Sequence, residues 1–419
     1  MSAHLEAPAR SEPQKWPLIA AFCIIWSGLV ATEQVSGHLL PDTVRLLTTS
    51  AVVLSWIQFL NPFFGVIAQP IVGILSDRIW TPIGRRAFFL ITGAPIVAIC
   101  LWFVPEARTI WFLFILVLVY QFFQDVLWGS DHPLMADLFP PKQRVIVSGL
   151  LMASAQVTSW LFLHMGMKYL DAQTLYRVVA IAQVVLVSGF AFFLNERPNK
   201  PKKRPKLTVK RYITDLLGHP MRAKFAALNF FIAMFFNIAV GSGFLRAFAT
   251  TSLNAPQAEY GPNWAYSTLP PLFLSIPAAI VIEKWMPKQW ALVLGFVVAC
   301  ISCYLGWIAD SPDDLMWIAL TWGFGTMLVN VTFKPFFTEY VPSDIIGQVS
   351  GSLNICYAAG RSLATLSIGY IIQYVYDDDY RYIFPIALGC GIIATLIAIS
   401  IPDLRYKAKR EGKLQHEEE

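Results

Sequence analysis

Long apolar runs alternate with short polar breaks along the whole chain. Runs of membrane-crossing length occupy about 16–38, 46–74, 86–105, 109–133, 145–169, 174–195, 223–248, 264–283, 289–309, 314–338, 347–375 and 382–402. At ~1.5 Å per residue, about 20 apolar residues cross the ~30 Å hydrocarbon core, so each run predicts one membrane helix. Composition agrees: 56% of the 419 residues are hydrophobic and 14% charged, and the mean hydropathy is +0.54. A string of soluble domains is excluded, and an integral multi-pass membrane protein is expected.

Lysine and arginine positions set the orientation. One side collects Arg10, Lys15, Arg78, Arg85, Arg86, Lys142, Arg144, ten basic residues from Arg197 to Lys224, Lys284, Lys288 and five in the tail. The other keeps Arg45, Arg108, Lys168, Arg177, Arg246 and Arg381. With an even number of spans, both termini are expected on the cytoplasmic side of a plasma or inner membrane. The net charge of +5 is then a topology signal and not a nucleic-acid footprint.

Five pairs recur in one register. Pro133, Asp137, Pro140, Ser148 and Gly149 are followed 202 positions later by Pro335, Glu339, Pro342, Ser350 and Gly351. Both sets follow spans of equal rank, which indicates a duplication of six helices. The expected organisation is a cytoplasmic tail (1–15), a six-helix bundle (16–195), a basic linker (196–222), a second bundle (223–402) and a tail (403–419). The fold class is all-α, with twelve transmembrane helices in two six-helix bundles.

Polar residues inside apolar runs are the candidate site. In span 4, Gln121, Asp125, Trp128 and His132 share one helical stripe. A mid-span carboxylate costs about 2.5–3.5 kcal/mol on insertion scales, so Asp125 should face a cavity or a cation. It reads either as a ligand for substrate hydroxyls or as half of a structural ion pair. Glu33 stands about seventeen residues into span 1, either a proton site past the bilayer centre or a wetted residue beyond a shorter span. Arg361, about fourteen residues into span 11, needs a partner, for which Asp125 and Glu33 are the available carboxylates; Asn354 and Tyr357 share its face. Span 2 carries Ser55, Trp56, Gln58, Asn61 and Gln69; span 10 carries Thr326, Asn330 and Lys334; Asn229 and Asn237 line span 7.

Between spans 2 and 3, Gly73, Asp77, Arg78, Gly84, Arg85 and Arg86 form a short polar hinge at the membrane surface. It resembles the signature loop of the major facilitator superfamily. The five residues between Arg78 and Gly84 make it similar to the longer loop of the glycoside-pentoside-hexuronide cation symporters and related sucrose transporters. In span 4, Asp125, Trp128 and Pro133 resemble the sugar-binding aspartate, tryptophan and proline of those symporters, which also place a basic residue where Arg361 stands. The resemblance implies a gating role for the hinge. The two sodium-binding aspartates of that family correspond to Gly65 and Gln69, which removes the carboxylates and points to protons.

The expectation is a secondary transporter moving a sugar or small glycoside by alternating access with proton symport. Substrate would meet Asp125, Gln121, Trp128, Arg361, Asn354, Asn330, Trp56 and Gln156; protons would be carried by Asp125, Glu33 and Arg361. Trp26 and Trp160 are further stacking candidates. Alternatives are an exporter of amphipathic drug-like or lipid substrates, a sugar uniporter and a non-transporting receptor. The expected partners are the substrate, a proton and the lipid bilayer, with no nucleic acid, no cofactor and a monomeric chain. Cys300 and Cys303 sit in an apolar helix and read as packing residues, not as a metal or redox pair. No phosphate-cradling glycine loop or histidine pair at ligand spacing suggests an enzyme.

Overall fold

The computed structural model describes residues 16–76, 81–194, 218–241, 243–341 and 346–403. Among them every regular element is helical. Twelve helices are long and apolar enough to cross a membrane: α1 (Trp16–Leu47), α2 (Ala51–Gln69), α3 (Ala87–Glu106), α4 (Ile110–Asp131), α5 (Ile146–Tyr169), α6 (Ala172–Gly189), α7 (Pro220–Thr251), α8 (Gln257–Trp285), α9 (Lys288–Ile308), α10 (Asp314–Thr338), α11 (Ser352–Val375) and α12 (Tyr380–Ile399). The helices behind α2 and α4 run on to Ser76 and Leu138. Residues 77–80 of the hinge and residues 196–217 of the linker fall outside the described residues.

Local chemistry sets the helix starts. Thr109 accepts a hydrogen bond from the Phe112 amide at the head of α4, and Asp171 accepts one from the Thr174 amide at the head of α6. Two spans begin or end beyond the apolar run. After His38 the chain enters a further helix, Leu40–Leu47, because Pro41 lies in its first turn, where no backbone N–H is required. The start of α8 is a polar-looking stretch, Gln257–Ala265, made stable by burying Tyr260 and Trp264. Both additions lie at the membrane face opposite the chain ends.

That opposite face is where α1–α6 and α7–α12 meet. Arg246 on α7 donates from Nε to Asp42 Oδ2 at 2.8 Å and from Nη1 to the Ala255 carbonyl at 3.1 Å. Its guanidinium lies 4.6 Å from the ring centroid of Tyr260, whose hydroxyl is 2.8 Å from His38 Nδ1. Gln257 donates to the Met167 and Leu170 carbonyls, and Gln373 accepts from the Ser50 hydroxyl and the Val52 amide. Gly369 on α11 packs so closely on Ser55 of α2 that a Cβ there would overlap its side chain. Among the described residues, two cross-half hydrogen bonds lie further in: Trp56 to the Tyr370 hydroxyl about one turn beyond Val52 and, deepest, Arg361 to Asn61.

The Arg246 side chain keeps 3% exposure and Asp42 keeps 23%, so the pair is held away from bulk water. Removing one partner strands a desolvated charge at a cost of about 3–5 kcal/mol when both are fully buried. Arg246→Gln should therefore lower the thermal midpoint and open this face. Spin labels at Leu46→Cys and Thr251→Cys should move apart in Arg246→Gln; an unchanged distance distribution would show that the pair does not hold the face shut.

Candidate functional site

Four spans converge at mid-depth. Asn61 of α2 donates from Nδ2 to Glu33 Oε1 of α1 at 3.0 Å and, more weakly, to Gln121 Oε1 of α4 at 3.4 Å. Its Oδ1 accepts from Arg361 Nη2 of α11 at 2.9 Å. The amide orientation is chemically determined: a guanidinium only donates and a carboxylate only accepts, so the carbonyl must face Arg361 and the NH2 must face Glu33. Asn61 thus stands between opposite charges carried by different halves.

A buried network holds that amide in place. Gln121 donates to Ser36 Oγ at 2.6 Å and to Tyr120 Oη at 2.9 Å, and the Tyr120 hydroxyl donates to Ser36 Oγ at 3.0 Å. Gln58 donates to the Ser36 carbonyl at 2.9 Å. Gln121, Tyr120, Ser36 and Gln58 are all buried, so the network is shielded from water.

One turn further along α4, Asp125 accepts from Gln69 Nε2 at 2.9 Å. Two glycines bring α2 and α4 together here: a Cβ on Gly129 would stand 2.9 Å from Gln69 Cα, and one on Gly65 would stand 3.5 Å from Asp125 Oδ1. Asp125 lies within electrostatic reach of Glu33 and Arg361. Arg361 pairs directly with neither of its available carboxylates, Asp125 and Glu33, in this structure; Asp125 and Arg361 are each served by a neutral amide, Gln69 for one and Asn61 for the other. Arg361 itself is placed from α7: Asn237 donates to its carbonyl at 3.1 Å and to the Thr365 hydroxyl. Asn229 likewise donates to the Leu353 carbonyl. The two α7 amides thus pin α11.

The other expected residues fall into two groups. Trp128, one turn from Asp125, packs edge-on against Trp26 of α1 with ring centroids 5.0 Å apart. Asn330 and Lys334 of α10 and Asn354 of α11 are exposed at positions inside apolar spans. Gln156 is half-buried on α5. Trp56 is displaced from the site. It lies five residues before Asn61, on the opposite face of α2, and its Nε1 donates to the Tyr370 hydroxyl at 3.2 Å. Trp160 stacks on His164 at 4.7 Å and lines a groove between α5 and α8.

In the hinge, Gly73 lies inside the helix that continues α2, while Asp77 and Arg78 fall outside the described residues. Gly84 adopts φ +113°, which a side chain would resist, and its amide donates to the Thr81 carbonyl at 3.0 Å. Arg85 and Arg86 follow directly, Arg86 buried at the head of α3.

Asn61 and Gln69 stand in the sequence as polar residues of span 2, without a place among the expected site residues. Their spacing was the available signal: Asn61, Gly65 and Gln69 repeat every four residues and so share one face. Ser36 and Tyr120 carried no such mark.

Comparison with known proteins agrees with this architecture. Residues 16–365 match the Major Facilitator Superfamily. The fold is similar to that of the nucleoside transporter NupG, with a TM-score of 0.70 at 13% identity over 92% of this chain and 98% of that one. It is also similar to a bacterial homologue of the human lysosomal transporter Spinster in an inward-facing, occupied conformation. That TM-score is 0.71 at 13% identity, over 96% of this chain and 98% of that one. No curated protein sequence matches the chain. Such low identities speak to the fold alone, and the family assignment comes from the sequence match. With twelve membrane-length helices, an all-helical fold and a match covering most of its length, the chain belongs to the Major Facilitator Superfamily and is a membrane transporter, not an enzyme.

Proposed function

We propose that this transporter moves a sugar or small glycoside by alternating access, with protons as the coupling ion. The observation that carries the reading is the mid-depth cluster in which Glu33, Asp125 and Arg361 are each hydrogen-bonded to a neutral amide. Carboxylates and amides at such a site offer the acceptors and donors that sugar hydroxyls need, and the Trp26 and Trp128 rings supply apolar surface beside them. A nucleoside, the cargo named for one structural relative, is itself a glycoside.

In this reading both termini are cytoplasmic. The face closed by Arg246 and Asp42 is external, and the arrangement described here is the inward-open one. Protons enter through Asp125 and Glu33. A carboxylate in a low-dielectric site is stabilised by a proton or by a cationic partner. Rocking of the halves lets Arg361 exchange Asn61 for Asp125, which releases the proton and loosens the hydroxyl contacts. Gly65 and Gln69 present no carboxylate to sodium beside Asp125. The hinge residues Gly73, Asp77, Arg78, Gly84, Arg85 and Arg86 act as the cytoplasmic latch.

One observation favours a second reading, export of an amphipathic molecule. The groove between α5 and α8, about 410 Å³ in volume, is lined by Val157, Trp160, His164, Tyr266, Leu272 and Phe273 among others. An aromatic groove at the boundary of the two halves suits an apolar tail better than a sugar.

Two measurements test the main reading. Asp125→Asn keeps the shape of the site but cannot carry a proton, so it should retain exchange of substrate across liposomes while losing accumulation driven by a pH gradient. Accumulation at the wild-type level would contradict the coupling role. Asn61→Ala removes the bridge between Glu33 and Arg361. Hydrogen bonds to charged groups contribute about 1.5–3 kcal/mol each, so substrate affinity should fall about 10-fold to 100-fold by equilibrium binding. Wild-type affinity would place the substrate elsewhere.

A further inference from the structure

Asp131 ends α4 six residues beyond Asp125, ~9 Å further along the helix toward the face that carries the chain ends. It is completely enclosed, and neither carboxyl oxygen has a hydrogen-bond partner. No other carboxyl group among the described residues combines full enclosure with two unpartnered oxygens.

Its surroundings explain why no partner reaches it. On α3, Gly93 abuts Leu127 and Phe123 of α4, and this antiparallel register brings residues 85–89 level with Asp131. On α6, Ser188 spends its hydroxyl on the Leu90 and Ile91 carbonyls, and the only charged residue of that span, Arg177, lies near its far end, paired with Glu106. On α2, Gln69 is committed to Asp125. Among the described side chains, the charged groups nearest in register are Arg85 and Arg86 at the start of α3, level with Asp131, and Asp125 on α4 itself; none forms a hydrogen bond or ion pair with Asp131.

An ionised carboxylate without donors or a counter-charge is among the most costly groups a protein interior can hold, and the neutral acid is far cheaper. Neither form gains anything in this conformation, and a leucine would pack there at lower cost. A group that is a liability in one conformation is accounted for by what it does in the other.

We propose that Asp131 is a second proton carrier on α4: neutral in the conformation described here, and ionised in the alternate conformation, where a donor reaches it. The inference rests on the proton-coupled reading but adds a residue and a step to it. One proton binds a carboxyl oxygen as this conformation forms and leaves to water as it breaks down, and the substrate takes no part. This conformation then holds one more proton than its alternate, so raising the pH shifts the equilibrium away from it.

The test needs no substrate. Infrared difference spectra of wild type against Asp131→Asn in lipid nanodiscs at neutral pH should show loss of a carboxylic-acid C=O band. Loss of a carboxylate band instead would overturn the proposal. The Leu46→Cys and Thr251→Cys label pair then reports the conformational equilibrium across a pH series. The slope of the logarithm of its constant against pH counts linked protons, and Asp131→Asn should lower that slope by one. An unchanged slope would overturn the proposal. Should the asparagine variant fail to fold, Asp131→Leu carries the same two readouts. Failure of Asp125→Asn to affect accumulation would refute the earlier reading without altering either result.

Discussion

The hydrogen bond from Arg361 to Asn61 is the constraint on which the centre of this molecule depends. It joins α11 to α2 at the depth where the two halves otherwise have no hydrogen bond among the described residues, and the same amide serves Glu33 on α1. An ion pair formed directly across the halves would be strong and slow to break in a low-dielectric site. Placing a neutral amide between the charges weakens the grip while leaving each charge solvated by one good hydrogen bond. The proposed alternating access, in which the halves separate in every cycle, is served by that compromise. The surrounding architecture serves this point: Gln121, Ser36 and Tyr120 orient the site on one side, and Asn237 fixes the Arg361 backbone on the other.

The closed face follows a different logic. Arg246 and Asp42 form a direct ion pair, supported by a backbone carbonyl, a tyrosine face and a buried histidine. Glycines at 261 and 369 let helices of the two halves approach to backbone contact on either side of it. The structure is thus bonded firmly at one face and lightly at mid-depth. In alternating-access terms, the energy stored at that face must be offset by new contacts at the other one when the transporter switches.

Much of this was legible in the sequence. The twelve spans stood out because helices crossing a bilayer must be apolar for about 20 residues. Asp125, Gln121, Glu33 and Arg361 stood out because charges and amides inside such runs are costly, and the structure brings Glu33, Gln121 and Arg361 together around Asn61, with Asp125 one turn away. Less legible were features that depend on pairing between helices. Spacing along α4 and α11 could not reveal that Asp125 and Arg361 would each take an amide partner in place of each other. Trp56 was assigned by residue type, although its five-residue offset from Asn61 already placed it on the other face of α2. The start of α8 was missed because Gln257, Glu259 and Asn263 look like a loop until Tyr260 and Trp264 are seen to be buried. Asp131 carried no mark that distinguished it from a surface residue at the end of a span.

The central claim is that the amide-bridged carboxylates couple sugar or glycoside movement to protons. Uptake of a labelled panel of monosaccharides, disaccharides and nucleosides into proteoliposomes, first under an imposed pH gradient and then under an imposed sodium gradient, tests it most directly. The account predicts that at least one member accumulates under the pH gradient and that none accumulates under the sodium gradient. Accumulation driven by sodium alone, or no movement of any member under either gradient, would contradict it.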